Sequence, residues 1–113
     1  HKYILVVGLR PPLHYRQNSA SPLRPARPPL PTILLVDDDP SIVAVVTAVA
    51  RKRGYAVTNA TTGEAAVERF TADRPDAVLC DVCLPDASGL DVFRRLAAVD
   101  PARPVVVVGE NDR

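Results

Sequence analysis

No apolar run in this sequence approaches the roughly 20 residues that a membrane-spanning helix needs. The longest near the start, Tyr3 to Leu9, ends at Arg10-Pro11-Pro12 without a small-residue cleavage site, which argues against a secretory signal. Cysteine is nearly missing: Cys80 and Cys83 have no second pair, so a four-ligand zinc site would need at least two ligands of other kinds. Such scarcity suits a reduced, cytoplasmic chain. A C-x-x-C spacing is present, but Cys80 follows Ala77-Val78-Leu79 in a strand-like run instead of opening a helix, which removes the context of a thioredoxin-like redox pair. Glycine-rich phosphate loops are missing, and nucleotide-binding folds built on them go with them. Lysine stands only at positions 2 and 52, no acidic residue occurs in residues 1–31, and no initiator methionine precedes His1, as expected of a fragment or a processed chain.

The missing acids divide the chain. Residues 1–31 carry Lys2, Arg10, Arg16, Arg24 and Arg27, whereas residues 32–113 hold all 13 acids against nine basic residues. Seven of the 12 prolines fall within residues 11–31, which denies that stretch helical and ladder hydrogen bonds and favours extended polyproline conformations. Residues 1–31 therefore read as a Pro/Arg-rich flexible arm or linker. A basic arm that touches nucleic acid is the other reading, but repeats and interleaved aromatics are lacking. The sequence leaves Lys2–Gly8 open between a short strand, a remnant of something upstream and an artefactual stretch.

From Thr32 the texture becomes a β–α alternation. Ile33-Leu34-Leu35-Val36 is short, apolar and rich in branched residues, as a buried parallel strand is. Asp39-Pro40 then supplies an N-cap and a first-turn proline, after which Ile42, Val45, Val46, Val49 and Ala50 recur at helical spacing until Arg51-Lys52-Arg53-Gly54. Tyr55–Thr58 predicts a second strand, and Thr61 or Thr62 caps a helix from about Gly63 to Ala72. Asp76–Cys80 predicts a third strand ending at Asp81. A loop through Leu84-Pro85 and Ser88-Gly89 leads into a third helix, and Val105–Val108 forms a fourth strand. Alternation of this kind implies an α/β fold, a parallel sheet with helices on both faces.

Open parallel sheets gather ligands at the carboxyl ends of their strands, and Asp37-Asp38 and Asp81 each follow an apolar strand at once. They converge if the first and third of these strands are neighbours, as the flavodoxin-like order 2-1-3-4-5 provides. Clustered carboxylates repel one another, and a divalent cation removes the conflict. An all-oxygen set of few ligands suits Mg²⁺. A carboxylate beside such a cation can act as a nucleophile toward phosphorus.

Leu35-Val36-Asp37-Asp38-Asp39-Pro40, Ala77-Val78-Leu79-Cys80-Asp81, Leu84-Pro85 and Ser88-Gly89-Leu90 together resemble the receiver domain of bacterial two-component response regulators, over about residues 32–109. The resemblance implies a flavodoxin-like sheet of order 2-1-3-4 that lacks the last helix-strand-helix, with residues 32–113 as a partial receiver domain. It implies Asp81 as phosphoacceptor and a histidine kinase as donor. It assigns Mg²⁺ to Asp38 directly, to Asp37 through water, to Asp81 and to the backbone carbonyl of Cys83. Such a domain is a phosphoacceptor that assists its own phosphorylation and dephosphorylation, not an enzyme acting on a separate substrate. Nucleic acid enters only through an effector domain, which these residues do not include.

Two positions depart from the family pattern. A hydroxyl residue is expected after the fourth strand, where Gly109 stands, and a lysine after a fifth strand has no counterpart before Arg113. A pseudo-receiver that binds partners without a phosphorylation switch is the alternative these departures raise. An aspartate-nucleophile phosphatase of the haloacid-dehalogenase kind fits less well, because Asp37-Asp38-Asp39 runs into Pro40 where that chemistry wants D-x-D with a different continuation. The early end also predicts a bare edge on the fourth strand, and with it self-association or a partly molten state.

Overall fold

The structure, a computed structural model, describes residues 2–7 and 30–110. Its described elements run β1 (Lys2–Val7), β2 (Thr32–Val36), α1 (Pro40–Lys52), β3 (Ala56–Ala60), α2 (Gly63–Asp73), β4 (Ala77–Asp81), α3 (Gly89–Val99) and β5 (Val105–Glu110). The sheet has the order β1-β5-β4-β2-β3. The four strands expected from the sequence, β2 to β5, pair in parallel and lie in the order 2-1-3-4 when counted among themselves.

Each helix starts where a side chain can take up its free N–H groups. Asp39 Oδ1 accepts from Ser41 N at 2.9 Å ahead of Pro40. Of the two candidate threonines, Thr62 is the one that caps α2, accepting from Ala65 N at 3.1 Å, and Ser88 does the same for α3 through Asp91 N at 3.1 Å. The strand ends differ from the sequence expectation by a residue or two: β3 begins at Ala56 and runs to Ala60, and β4 takes in Asp81.

Alternation along the strands builds one large core. Leu34, Val36, Val78, Cys80, Val105 and Val107 face α2 and α3, where Ala66, Phe70, Val92 and Leu96 close over them. The opposite face carries Leu35, Leu79 and Val108, and α1 covers only part of it. Helix α1 therefore departs from expectation: of its apolar stripe only Ala50 is buried, while Val45 is 61% and Val49 48% exposed. An apolar stripe is buried only where a neighbour exists to bury it.

The bare edge expected on the last parallel strand is absent. Among the described residues, β1 pairs antiparallel with β5 from Lys2↔Glu110 to Val7↔Val105. For Lys2–Val7 this favours the strand reading, because the apolar, branched run beginning at Tyr3 supplies a ladder partner; Gly8 lies outside the described residues. It also takes the edge on which self-association was expected. The rest of the Pro/Arg-rich arm, residues 8–29, lies outside the described residues.

Candidate functional site

Strands β2 and β4 are hydrogen-bonded neighbours with Val36 opposite Cys80, so Asp37 and Asp81 follow side by side at the carboxyl edge of the sheet. Val36 and Cys80 point into the α2/α3 core, and alternation sends the next pair to the other face. Asp37, Asp38 and Asp81 each offer a carboxylate oxygen, and these oxygens all lie within 4.8 Å of one another. Asp39 lies beside them but acts as the α1 cap, and its bonds from the Ser41 hydroxyl and N–H hold its carboxyl below the ordinary value.

Asp37 is 8% exposed and is the buried charged residue of this region. Its N–H donates to Ala60 O at 3.0 Å and its Oδ1 accepts from Asp39 N at 2.9 Å, an Asx turn that leads the chain from strand to helix. Asp81 is half-buried, and burial raises its carboxyl above the ordinary value. The N–H groups of Cys83 and Val82 pull the other way, while the charges of Asp37 and Asp38 add to the rise. The bond from Cys83 N to Asp81 Oδ1 is long, at 3.4 Å, so the acid group lacks a strong partner of its own.

The loop after Asp81 is folded tightly. Gly89 N donates to Val82 O at 2.7 Å and Leu84 N to Ala87 O at 3.0 Å, and Cys83 bridges to Ser88. A Cβ on residue 89 would lie 2.8 Å from Asp81 O, which accounts for glycine there. Cys83 is exposed at the lip of the site. Cys80 lies on the far face of the strand, where burial pushes its thiol up to about 12 with the Asp81 and Asp37 charges adding to the effect. A thiol so far from ionisation, in a core, is an inert packing group.

Beside the acids runs a groove of about 260 Å³, floored by Leu35, Leu79 and Val108 and walled by Ile42 and Val46 of α1. The donor set at its end is all oxygen with excess negative charge, and among the described residues no histidine or thiol takes part. Hard oxygen ligands of this kind fit Mg²⁺.

Three contributors escaped the sequence reading. Asn59 of β3 donates its amide to Leu35 O at 2.8 Å, Ala60 O at 3.2 Å and Asp37 O at 3.3 Å. Asp86 of the loop after β4 accepts from Gly63 N at 2.7 Å and Glu64 N at 3.1 Å, tying that loop to the start of α2. Val82 fills the space beside Gly109. All three act across long sequence separations, and no local pattern marks them.

Comparison with known proteins agrees with this geometry. The family model of the response regulator receiver domain matches residues 33–113. The probable transcriptional regulatory protein TcrX of Mycobacterium tuberculosis is 40% identical over 81 residues, covering 72% of this chain and 35% of TcrX. The transcriptional regulatory protein ZraR of Escherichia coli is 37% identical over 76 residues, covering 67% of this chain and 17% of ZraR. This chain thus spans about a third or less of the length of these curated relatives. Among solved structures, a putative response regulator of Chloroflexus aurantiacus superposes with a TM-score of 0.64 at 33% identity, over 67% of this chain and 64% of that one. The non-phosphorylated HemR receiver domain of Leptospira biflexa gives 0.62 at 28% identity, over 66% and 60%. Sheet order, acid cluster and family match converge on one assignment: the chain belongs to the response regulator receiver domain family.

Proposed function

We propose that this chain is a phosphoryl-accepting module of a two-component phosphorelay in the cytoplasm, with Asp81 as acceptor and a histidine kinase as donor. The observation that carries the reading is the convergence of Asp37, Asp38 and Asp81 within 4.8 Å at the end of neighbouring parallel strands. Among the described residues no helix is long and apolar enough to cross a membrane.

Asp38 is the direct Mg²⁺ ligand in this reading, Asp37 a ligand through water, and the Cys83 carbonyl and Asp81 complete the protein's share. Bound there, the cation supplies charge neutralisation for the transferring group and for the crowded carboxylates. The chain's own part is to hold the acceptor. An Asp81 oxygen forms a bond to phosphorus as the phosphorus–nitrogen bond of the donor imidazole breaks. The electron pair stays on that nitrogen, which takes a proton from solvent. Asp81 must be ionised to attack, and burial, which raises its carboxyl above the ordinary value, makes that carboxylate more basic once it is ionised.

The alternative, a pseudo-receiver that phosphorylation does not switch, rests on Gly109 and the missing lysine and draws no support from the comparisons. Incubation with Mg²⁺ and a small acyl phosphate tests the proposal by intact mass. The expected result is an acid-stable, base-labile phosphoryl adduct that Asp81→Asn abolishes; an unmodified parent chain overturns it.

A further inference from the structure

The β2–β3 ladder ends at a point that matters for the acid cluster. Its last rung pairs Val36 with Ala60, and the final backbone bond runs from Asp37 N to Ala60 O at 3.0 Å. Beyond it β3 turns away through Thr61 into the Thr62 cap of α2, so the carbonyl of Asp37 meets no ladder donor from β3. That carbonyl belongs to the peptide unit joining Asp37 to Asp38. Its orientation sets the direction of both carboxylates.

Asn59 supplies the missing donor. It sits opposite Leu35 in the register, and its side-chain nitrogen reaches three carbonyls: Leu35 at 2.8 Å, Ala60 at 3.2 Å and Asp37 at 3.3 Å. An amide nitrogen has two hydrogens, so three carbonyls share two donors. Three acceptors converging on one group admit a donor and repel an oxygen. This residue is half-buried, and it lies on neither α1 nor β4, the strand that ends in Asp81.

We propose that Asn59 is a positioning residue for the cation site. Its amide fixes the Asp37–Asp38 peptide and thereby the two carboxylates that face Asp81. The inference rests on the reading of that cluster as a Mg²⁺ site. Partners behind metal ligands commonly matter for affinity by roughly ten-fold or more.

Calorimetric Mg²⁺ titration of the full chain, with thermal melts alongside, tests it on the parent, Asn59→Ala, Asn59→Asp and Asp76→Ala. Asp76 accepts from Thr32 N at 2.7 Å at the opposite end of the sheet, so its loss weakens the fold without touching the acids. The expected result is roughly ten-fold weaker Mg²⁺ binding in Asn59→Ala and parent affinity in Asp76→Ala. Asn59→Asp discriminates further, because it keeps the shape of the side chain. An added charge acting through space would tighten Mg²⁺ binding, whereas a carboxylate set against three carbonyls disorders the peptide and weakens it. Should Asn59→Ala fail to fold, Asn59→Asp carries the same decision. Parent affinity or tighter binding in the Asn59 variants overturns the inference, as does an equal loss in Asp76→Ala. A parent chain that binds no Mg²⁺ overturns the cation reading itself, and that is seen in the parent titration alone.

Discussion

The Cγ1 atom of Val82 occupies the space in which a Cβ on residue 109 would have to lie. Val82 follows Asp81, and its N–H donates to Val108 O at 2.8 Å, so the side chain is pinned against the end of β5. Glycine at 109 and valine at 82 are therefore one packing solution. The departure from the family's hydroxyl residue at this place is matched by what stands next to it.

Gly109→Thr should consequently fail to restore a hydroxyl to the site at no cost. Forcing a branched side chain into occupied space costs about 1–3 kcal/mol. The double variant Val82→Ala/Gly109→Thr removes the Cγ1 overlap but leaves the residue 82 Cβ 2.6 Å from the new Cβ, so it should recover only part of the loss. Urea unfolding of the two variants and the parent measures the difference; a Gly109→Thr chain as stable as the parent would show that Val82 moves aside freely.

Helix α2 is held at its start by two residues from different parts of the chain, Thr62 and Asp86. The N–H groups of Gly63 and Glu64 hold the Asp86 carboxyl below the ordinary value of 3.8. A depressed carboxylate stabilises the fold above its unfolded pKa, and the contribution is lost as pH falls through the folded value. Asp86→Ala should thus lower the melting temperature at neutral pH, and the gap to the parent should close as the medium is acidified below 3.8. A gap that persists in acid would mean that Asp86 acts through packing.

What the sequence made legible was whatever depends on near neighbours. Asp39 before Pro40 and the threonine pair before Gly63 mark helix starts by local chemistry, and Asp39 and Thr62 form those caps, whereas Ser88 read only as part of a loop and turns out to cap the third helix. The acid cluster was legible because two apolar strands each run straight into aspartate, and a parallel sheet aligns their ends. Pairing of β1 with β5 was not, because roughly a hundred residues separate the partners and an apolar run does not name its neighbour. Asn59 escaped for a related reason: a polar residue in a strand looks like a solvated position until the three carbonyls around it are known.

The two faces of the sheet should respond differently to substitution. Phe70 is fully buried between α2 and the strands, and Phe70→Ala should cost about 3–5 kcal/mol. Val45 belongs to the apolar stripe of α1 but is 61% exposed, so Val45→Lys should shift stability by no more than about 0.5 kcal/mol. Denaturant midpoints of the two variants provide the comparison. A large loss in Val45→Lys would reveal a contact on that face made by residues outside the described ones.

Asp81 offers the sharpest test, because burial and the proposed cation would pull on its charge in opposite directions. Burial raises its carboxyl above the ordinary value of 3.8, with the neighbouring acids adding to the shift. A raised acid favours the fold in its protonated form: that contribution is fully present below the unfolded pKa and is lost as pH rises through the folded one. At neutral pH without divalent cations, Asp81→Asn should accordingly melt above the parent, and the two should converge below 3.8. Mg²⁺ should reverse the order. At about 100 times its dissociation constant it stabilises a chain that binds only when folded by about 2.7 kcal/mol. The parent, with three carboxylates, gains that stabilisation, whereas Asp81→Asn gains less because one charged ligand is lost. Melting curves of both chains with and without Mg²⁺ at neutral pH read the crossing directly. Parallel shifts in the two chains would place the cation away from Asp81.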